Sequence, residues 1–529
     1  MRSSSAIVRT VWPVAARAVA PQRASLRAVP SRERTLSTVY PAASVEAVGA
    51  WAPRNDFLTE ESAGGGVFSQ AHGPFRAYER RLEHTPDGVR ETIRYRLGIP
   101  WFGWLFALPV RHTLRHRRAA GDASPWWAPP DQLSERQART LGLLAMASMS
   151  ATFANTLFTQ TANFAADSFH ISDHGQGIAG AIVRLGVLIA LPFAVLADRL
   201  GRRRTIVLLA WLAPVVCALG AVAPSFWLLV ASQTVGRPLG IALSLLAGVA
   251  ATEDMPRNSR AYALSVLAMA AGLGAGIAVG ALKLADLGNN GWRLVYLLSL
   301  IWMPVAVSLM RHLLETRRFE TIHKIAQPLN GRRLLLVAMV ALTSNLFIAP
   351  ASFFQNRYLD HVRGYSGGGI AIFTLSTGTP ASIGLILGGR LADMIGRRRL
   401  ILVCTPISTA CIVLGFMAHG TVMWLAALGG GLTAALSYPA YQVYRTELFP
   451  TGNRGRANGV VTTVALLAGS VGILVVGYAR DHGMSFGEVM AIMAVGQLVA
   501  AVLAYRFYPE TAHLELEELN PEDPAVTEL

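Results

Sequence analysis

Thr152, Thr156, Gln160, Asn163 and Asp167 lie four, four, three and four residues apart in an otherwise apolar run. That spacing places all five on one face of a helix. Polar groups in apolar surroundings are functional suspects, so this face is expected to look into a cavity. Asn345, Ser352 and Asn356 carry a similar spacing in a later apolar run, and another offers Tyr438, Tyr441, Gln442 and Arg445. Gln233 and Arg237 sit one turn apart in a fourth. Arg237 lies about eleven residues in from the end of its run, or roughly 16 Å at helical rise. A guanidinium at that depth costs several kcal/mol unless it is paired or hydrated. Arg184 lies in the outer half of another run, and Asp167 is its candidate counter-ion. A carboxylate beside an arginine can couple protons to transport, or can be a structural ion pair at the outer rim.

The chain that must position these groups has 529 residues, 52% hydrophobic and 15% charged, with a mean hydropathy of +0.40. Soluble domains carry roughly a quarter charged residues. The composition is that of an all-α polytopic membrane protein. Apolar runs predict spans 1–6 at 141–168, 177–197, 205–222, 226–250, 261–284 and 292–310. Spans 7–12 follow at 334–355, 369–391, 400–418, 421–444, 457–479 and 487–507. A central basic loop at 311–333 divides twelve spans into six plus six, and an acidic tail occupies 508–529. Residues 1–70 are expected to be a disordered basic tail and 71–140 a cytoplasmic or interfacial region of short surface helices. Gly64-Gly-Gly66 is expected to be a flexible joint. The Trp-rich stretch 99–110, followed by Arg111, Arg115, Arg117 and Arg118, is too short to cross a bilayer. It suits a segment lying in the interface, with Trp126 and Trp127 as a second anchor, or a hydrophobic knot packed under the bundle.

The two halves repeat. Leu196-Ala-Asp-Arg-Leu-Gly-Arg-Arg-Arg204 recurs 195 positions later as Leu391-Ala-Asp-Met-Ile-Gly-Arg-Arg-Arg399. Glu253, Pro256 and Arg260 recur 194 positions later as Glu447, Pro450 and Arg454. Parallel six-span repeats place a binding site between the halves. The loops after spans 2, 6 and 8 hold the arginines, which predicts cytoplasmic termini. Only Lys283 and Lys324 are lysines among 47 basic residues, a bias of GC-rich coding that points to a bacterial cell membrane. Residues 1–50, with seven arginines, also have the composition of a mitochondrial transit peptide. A basic tail, or a start placed too far upstream, is favoured over it. Cys217, Cys404 and Cys411 lie in apolar runs and read as packing residues. His170, His174, His361, His419 and His482 have no ligand spacing, so no metal is expected. Nucleotide loops and nucleophile constellations are absent, so neither an enzyme nor a cofactor is expected. The excess positive charge is read as topology, not as a nucleic-acid site.

These repeated loops resemble those of the major facilitator superfamily over residues 140–515. Ala194 stands where that family's loop has glycine, and Met394 where it has arginine. Within the family the chain is most similar to the sugar-porter branch and its metabolite–proton symporter relatives. Tyr444-Arg-Thr-Glu-Leu-Phe-Pro450, Glu315-Thr-Arg317 and Pro509-Glu-Thr511 carry that likeness, while the sugar porters' span 7 glutamine pairs are missing. The resemblance implies a cytoplasmic gate in which Arg202, Arg203, Arg397 and Arg398 face Glu253, Glu315, Glu447 and Glu510. Arg260 and Arg454 belong to the same loops, and Asp198 and Asp393 would face helix N-termini. Clustered charges at the ends of both halves could pair across the interface, and such a network would open at a cost of a few kcal/mol. The alternative is that the arginines set topology alone. The two copies each lack a different family residue, so the halves need not contribute equally. The function implied is secondary transport of a small polar metabolite, an organic acid or sugar-like molecule, by alternating access. Proton symport is favoured, by a monomer in the bilayer. An efflux antiporter and a transporter-like sensor are the other readings.

Overall fold

The computed structural model describes residues 33–41, 49–116, 125, 127–129, 131–256, 259–315, 330–449 and 454–511. Over residues 33–41 and 49–97 its first unit corrects the expected tail and surface helices, while residues 1–32 and 42–48 of that tail lie outside the described residues. Strands β1 (Arg34–Pro41), β2 (Thr59–Gly64), β3 (Val67–His72), β4 (Phe75–Thr85) and β5 (Gly88–Leu97) form one antiparallel sheet in the order β1-β5-β4-β3-β2. Gly64, Gly65 and Gly66, expected to be a flexible joint, are the β2–β3 turn, with φ of 87°, 61° and 75°. Along β5 the inward positions are Val89, Glu91, Ile93, Tyr95 and Leu97, a period of two. Along β4 they include Tyr78, Arg80 and Leu82. One inward position in each strand is charged, so counting apolar residues alone hides the alternation.

Those charges pair with one another. Arg80 is fully buried and reaches Glu60 at 2.7 Å and Glu91 at 3.3 Å. Its guanidinium also donates to the carbonyls of Ala50 and Ala52 and lies 4.0 Å over the Phe68 ring. Tyr78 donates to Glu60 and Tyr40 to Glu91. Burial pushes the Tyr78 phenol well above its usual range, which keeps it a donor. Arg54 donates to the carbonyls of Thr113 and Leu114, fastening the helix Ala107–Arg115 to the sheet by its negative end.

The sheet is tied to the helical bundle through Gln132, which accepts from Thr59 and donates to the Asp56 carbonyl. Asp131 N–H then bonds Ser259, Tyr262 the Trp127 carbonyl, and Gln137 the Asp254 carbonyl. All three bonds are to the loop after span 4 and its neighbouring helix ends.

The bundle follows the predicted order. Span 1 is Glu135–Ser168, opened by a capping box of Ser134 and Gln137. Span 2 comprises Asp173–Leu185, a 3-10 turn at Gly186–Ala190, and Leu191–Leu200. Span 3 starts at Arg202, and span 4 is Phe226–Asp254. Span 5 is Arg260–Gly280, extended by a 3-10 turn to Leu287, and span 6 covers 291–312. Spans 7 to 12 are Gly331–His361, Gly367–Ile395, Arg397–Met417, Gly420–Glu447, Arg454–Asp481 and Phe486–Phe507. Among the described residues ten helices are long and apolar enough to cross a membrane, spans 2 and 8 standing outside that number. Apolar side chains such as Leu245, Met269, Ile372 and Leu425 are exposed around the outside, where lipid would meet them. Cys217 and Cys404 are buried in the packing, and Cys411 is partly so.

The halves meet where span 2 packs on span 11, span 5 on span 8, and span 1 on span 7. Spans 2 and 11 touch through glycines: a Cβ on Gly477 would lie 2.8 Å from the Asp173 carbonyl and 3.3 Å from the Gly177 Cα. A larger residue at either position would push the halves apart.

Candidate transport site

We call the end of the bundle that carries the arginine loops the basic face and the opposite end the far face. On the basic face the two copies of the repeated loop are built alike. Gly201 and Gly396 begin spans 3 and 9 with φ of 100° and 98°. The Glu315 carboxylate accepts the Arg203 N–H at 3.0 Å. Glu510 accepts the Arg397 and Arg398 N–H groups at 3.0 and 3.2 Å. Each carboxylate thus caps a helix N-terminus, where free N–H groups and the helix dipole favour an anion. A Cβ on Gly201 would stand 2.7 Å from Glu315, and one on Gly396 2.9 Å from Glu510. Arg202 pairs with Glu253 at 3.4 Å, and Arg203 and Arg398 donate to the carbonyls of Leu313 and Tyr505. These bonds run within each half, whereas the expectation was pairing across the interface. The side chains of Asp198, Arg260, Asp393, Glu447 and Arg454 lie outside the described residues, as do most of the central loop and the acidic tail.

Bonds across the halves gather on the far face. Asp167 at the end of span 1 holds Arg357, and His361 at 2.7 Å, both from span 7. Asp173 at the start of span 2 holds Arg357 at 2.7 Å and Arg480 of span 11 at 3.3 Å. The His174 N–H donates to Asp481. On the other side Asp286, in the 3-10 turn that ends span 5, accepts the N–H groups of Gly367 and Gly368 at 2.6 and 2.8 Å, helping to cap span 8. Deeper in, Asn356 donates to Gln160, and Asn163 donates to Asp360 at 2.9 Å. This far-face latch ties spans 1, 2 and 5 to spans 7, 8 and 11.

The expected Asp167–Arg184 pair is therefore not formed. Arg184 instead donates to Asn345 of span 7 at 3.0 Å, and Asp167 is taken by Arg357 and His361. The polar face of span 1 is also used differently: Gln160, Asn163 and Asp167 bind span 7. Thr156 is half-buried on that helix. Gln233 is buried within the first half, donating to the Cys217 carbonyl at 3.2 Å. Asp167, Asp360 and His361 come together closely enough to hold an ion. Their oxygens already accept from Arg357, His361 and Asn163, so the cluster reads as an ion-pair latch.

Below the latch a cavity of about 1000 Å³ extends towards the basic face. Asn345, Ser352, Tyr438, Tyr441 and Gln442 line it as expected, together with Arg445 and Tyr508 near the basic end. Arg184 is the first half's contribution to its wall. Tyr441 bonds Thr405 at 3.2 Å, Arg445 donates to Thr462, and Ser344 donates to Gln497. Arg237 donates to Asn155 of span 1 at 2.8 Å. Among the described residues neither Arg184 nor Arg237 has a carboxylate within ion-pair distance.

A sequence profile of the Major Facilitator Superfamily matches residues 143–378 and 334–526. The chain belongs to that superfamily. It is a multi-pass membrane transport protein. A putative metabolite transport protein of Haemophilus influenzae is 25% identical over 344 residues, 60% of this chain and 82% of the relative. The cis,cis-muconate transport protein of Acinetobacter baylyi is 24% identical over 379 residues, covering 67% of this chain and 90% of the relative. The shikimate transporter of Escherichia coli is 25% identical over 52% of this chain and 70% of its own length. In fold, the xylose transporter XylE of E. coli in its inward open conformation superposes with a TM-score of 0.57. It is 18% identical, and the match covers 73% of this chain and 98% of XylE.

Proposed function

We propose that this protein carries a small organic acid across the cytoplasmic membrane by alternating access, coupled to protons. The observation that carries the reading is the pair Arg184 and Arg237, two guanidinium groups inside the bundle with amide partners and no carboxylate among the described residues. An unpaired charge at that depth costs several kcal/mol. A bound carboxylate would offset the cost and be held by charge-assisted bonds. Arg184 reaches the interface between the halves, where a ligand would be felt by both. That muconate and shikimate are named for the relatives supports an acid over a sugar.

In this reading the basic face is cytoplasmic, spans 2 and 8 also cross the bilayer to make twelve, and the protein acts as a monomer. The cavity is open towards the cytoplasm while the latch holds the far face shut. In this reading the pairs of Asp167 with Arg357 and His361 must break each time the far face opens. The test is uptake of organic acids into proteoliposomes with and without an inward pH gradient. Arg184→Gln is expected to abolish uptake while leaving yield and melting temperature intact. Full uptake by that variant would remove the basis of the proposal. The folded β-sheet unit favours a sensor as the second reading: that reading wins if acids bind the protein but are never moved.

A further inference from the structure

The segment that joins the sheet to the bundle leaves an apolar face bare. Trp101, Trp104, Leu105 and Leu108 are 42%, 72%, 47% and 75% exposed. They are not loose-loop residues. Val110 and Leu114 of the helix Ala107–Arg115 pack into the sheet's core, and Ala107 and Thr113 are also buried, which fixes the opposite face outward. From the turn before the helix onto that outward face the order is Trp104 and Leu105, then Leu108, Arg111, His112 and Arg115, all exposed. The spacing of 104, 108, 111 and 115 keeps apolar and basic groups on one stripe. The stripe passes from apolar to cationic along its length.

Its position in the fold says what covers it. The Trp101 indole N–H reaches Ser308 at 3.4 Å, one turn from the end of span 6 at His312. Pro100 and Ile99 pack so closely on Gly142 that a Cβ there would lie 2.9 Å from the proline ring. Gly142 stands where the apolar part of span 1 begins, and Phe102 packs against the bundle core. The stripe therefore starts at the edge of the lipid-facing belt, where exposed Met310 and Leu314 continue the apolar surface. Indoles favour that level of a bilayer, and arginines next to it meet lipid phosphates.

We infer that the face formed by Trp104, Leu105, Leu108, Arg111 and Arg115 docks into the leaflet on the basic face and binds anionic phospholipid headgroups. The apolar residues enter the acyl boundary, while Arg111 and Arg115 hold phosphate groups above them. The sheet is thereby fixed against the membrane beside the first half.

The test uses the full-length protein in liposomes of phosphatidylglycerol and phosphatidylcholine. An environment-sensitive fluorophore is placed at Leu108→Cys in a chain carrying Cys411→Ala, Cys217 and Cys404 being buried. The unlabelled-site background is subtracted using the same chain without Leu108→Cys. A docked face gives blue-shifted emission, quenching by brominated acyl chains and protection from aqueous iodide. Replacing phosphatidylglycerol by phosphatidylcholine, or introducing Arg111→Gln with Arg115→Gln, is expected to reduce acyl-chain quenching several-fold. Emission typical of water with full iodide access would overturn the inference. So would protection from both quenchers, which would place a second copy of the chain on this face. Quenching unaffected by lipid charge or by the double arginine change would overturn the headgroup assignment.

Discussion

Neutralising Asp173 probes the latch that, in the proposed mechanism, separates the two access states. Its carboxylate accepts from Arg357 at 2.7 Å and from Arg480 at 3.3 Å, and its side chain is 14% exposed. Hydrogen bonds between charged groups are worth about 1.5–3 kcal/mol each in such settings. The Arg480 contact is long and contributes at the low end, and Asp173→Asn keeps a carbonyl oxygen that still accepts one bond. The net loss for the far-closed state is about 2 kcal/mol, because both arginines would lose these partners once the face opens. That is about a 30-fold shift of the access equilibrium. The assay is labelling of Ser352→Cys, in the cavity wall, by a membrane-impermeant maleimide applied to the far face. Labelling limited by opening should accelerate about 30-fold in Asp173→Asn. Asp481→Asn touches only the His174 N–H at 3.2 Å and should accelerate it far less. A rate within twofold of the parent in Asp173→Asn would refute the assignment of this network as the far gate.

At the repeated loop, Gly201→Ala and Gly396→Ala each force a Cβ against a capping carboxylate and a left-handed φ, so each should lower stability by about 2 kcal/mol or more. Gly459→Ala, with no atom within 4 Å of the added carbon, is the control and should leave the melting temperature unchanged or raise it. In the sheet, Arg80→Met strands Glu60 and Glu91 in the core, an expected cost of about 3–5 kcal/mol. Limited proteolysis should then cut within residues 34–97 while the helical bundle stays intact. Resistance equal to that of the parent would show that the buried pairs do not hold the sheet. Asp286→Ala removes the caps of the Gly367 and Gly368 N–H groups, leaving Ser366 on Gly369, and should also favour far-face opening, read by the same maleimide assay.

The bundle was legible in the sequence because hydropathy and duplication are long-range regularities that local errors do not erase. The order of the helices followed from hydropathy, and the matching turns at Gly201 and Gly396 from the 195-residue offset, whereas Glu315 and Glu510 were implied by the family resemblance. The β-sheet was not legible, because Arg80 and Glu91 occupy inward positions and break the apolar alternation by which strands are recognised. Arg357 was missed for a different reason: span 7 runs to His361, six residues beyond its predicted end at 355, and this places the arginine in a helix instead of a loop. A single cation in the run Phe353–Asp360 was the available signal. The polar stripe on span 1 was seen, but a helical face cannot by itself distinguish a cavity wall from a seam between helices. Gln160 and Asn163 turned out to be seam. Among the arginines, Arg237 was singled out by its depth and Arg184 by a nearby Asp167 that the structure pairs elsewhere; their amide partners are what the structure adds.

The most direct test of the account is ligand binding to the purified protein, measured by thermal shift and calorimetry with matched pairs of compounds. Each pair is an organic acid and its primary amide, which have nearly the same shape and differ in charge. The acid should bind and stabilise the protein, the amide should not, and Arg184→Gln should abolish the difference. Equal binding of acid and amide, or acid binding undiminished by Arg184→Gln, would contradict the claim that this transporter carries anions on its uncompensated arginines.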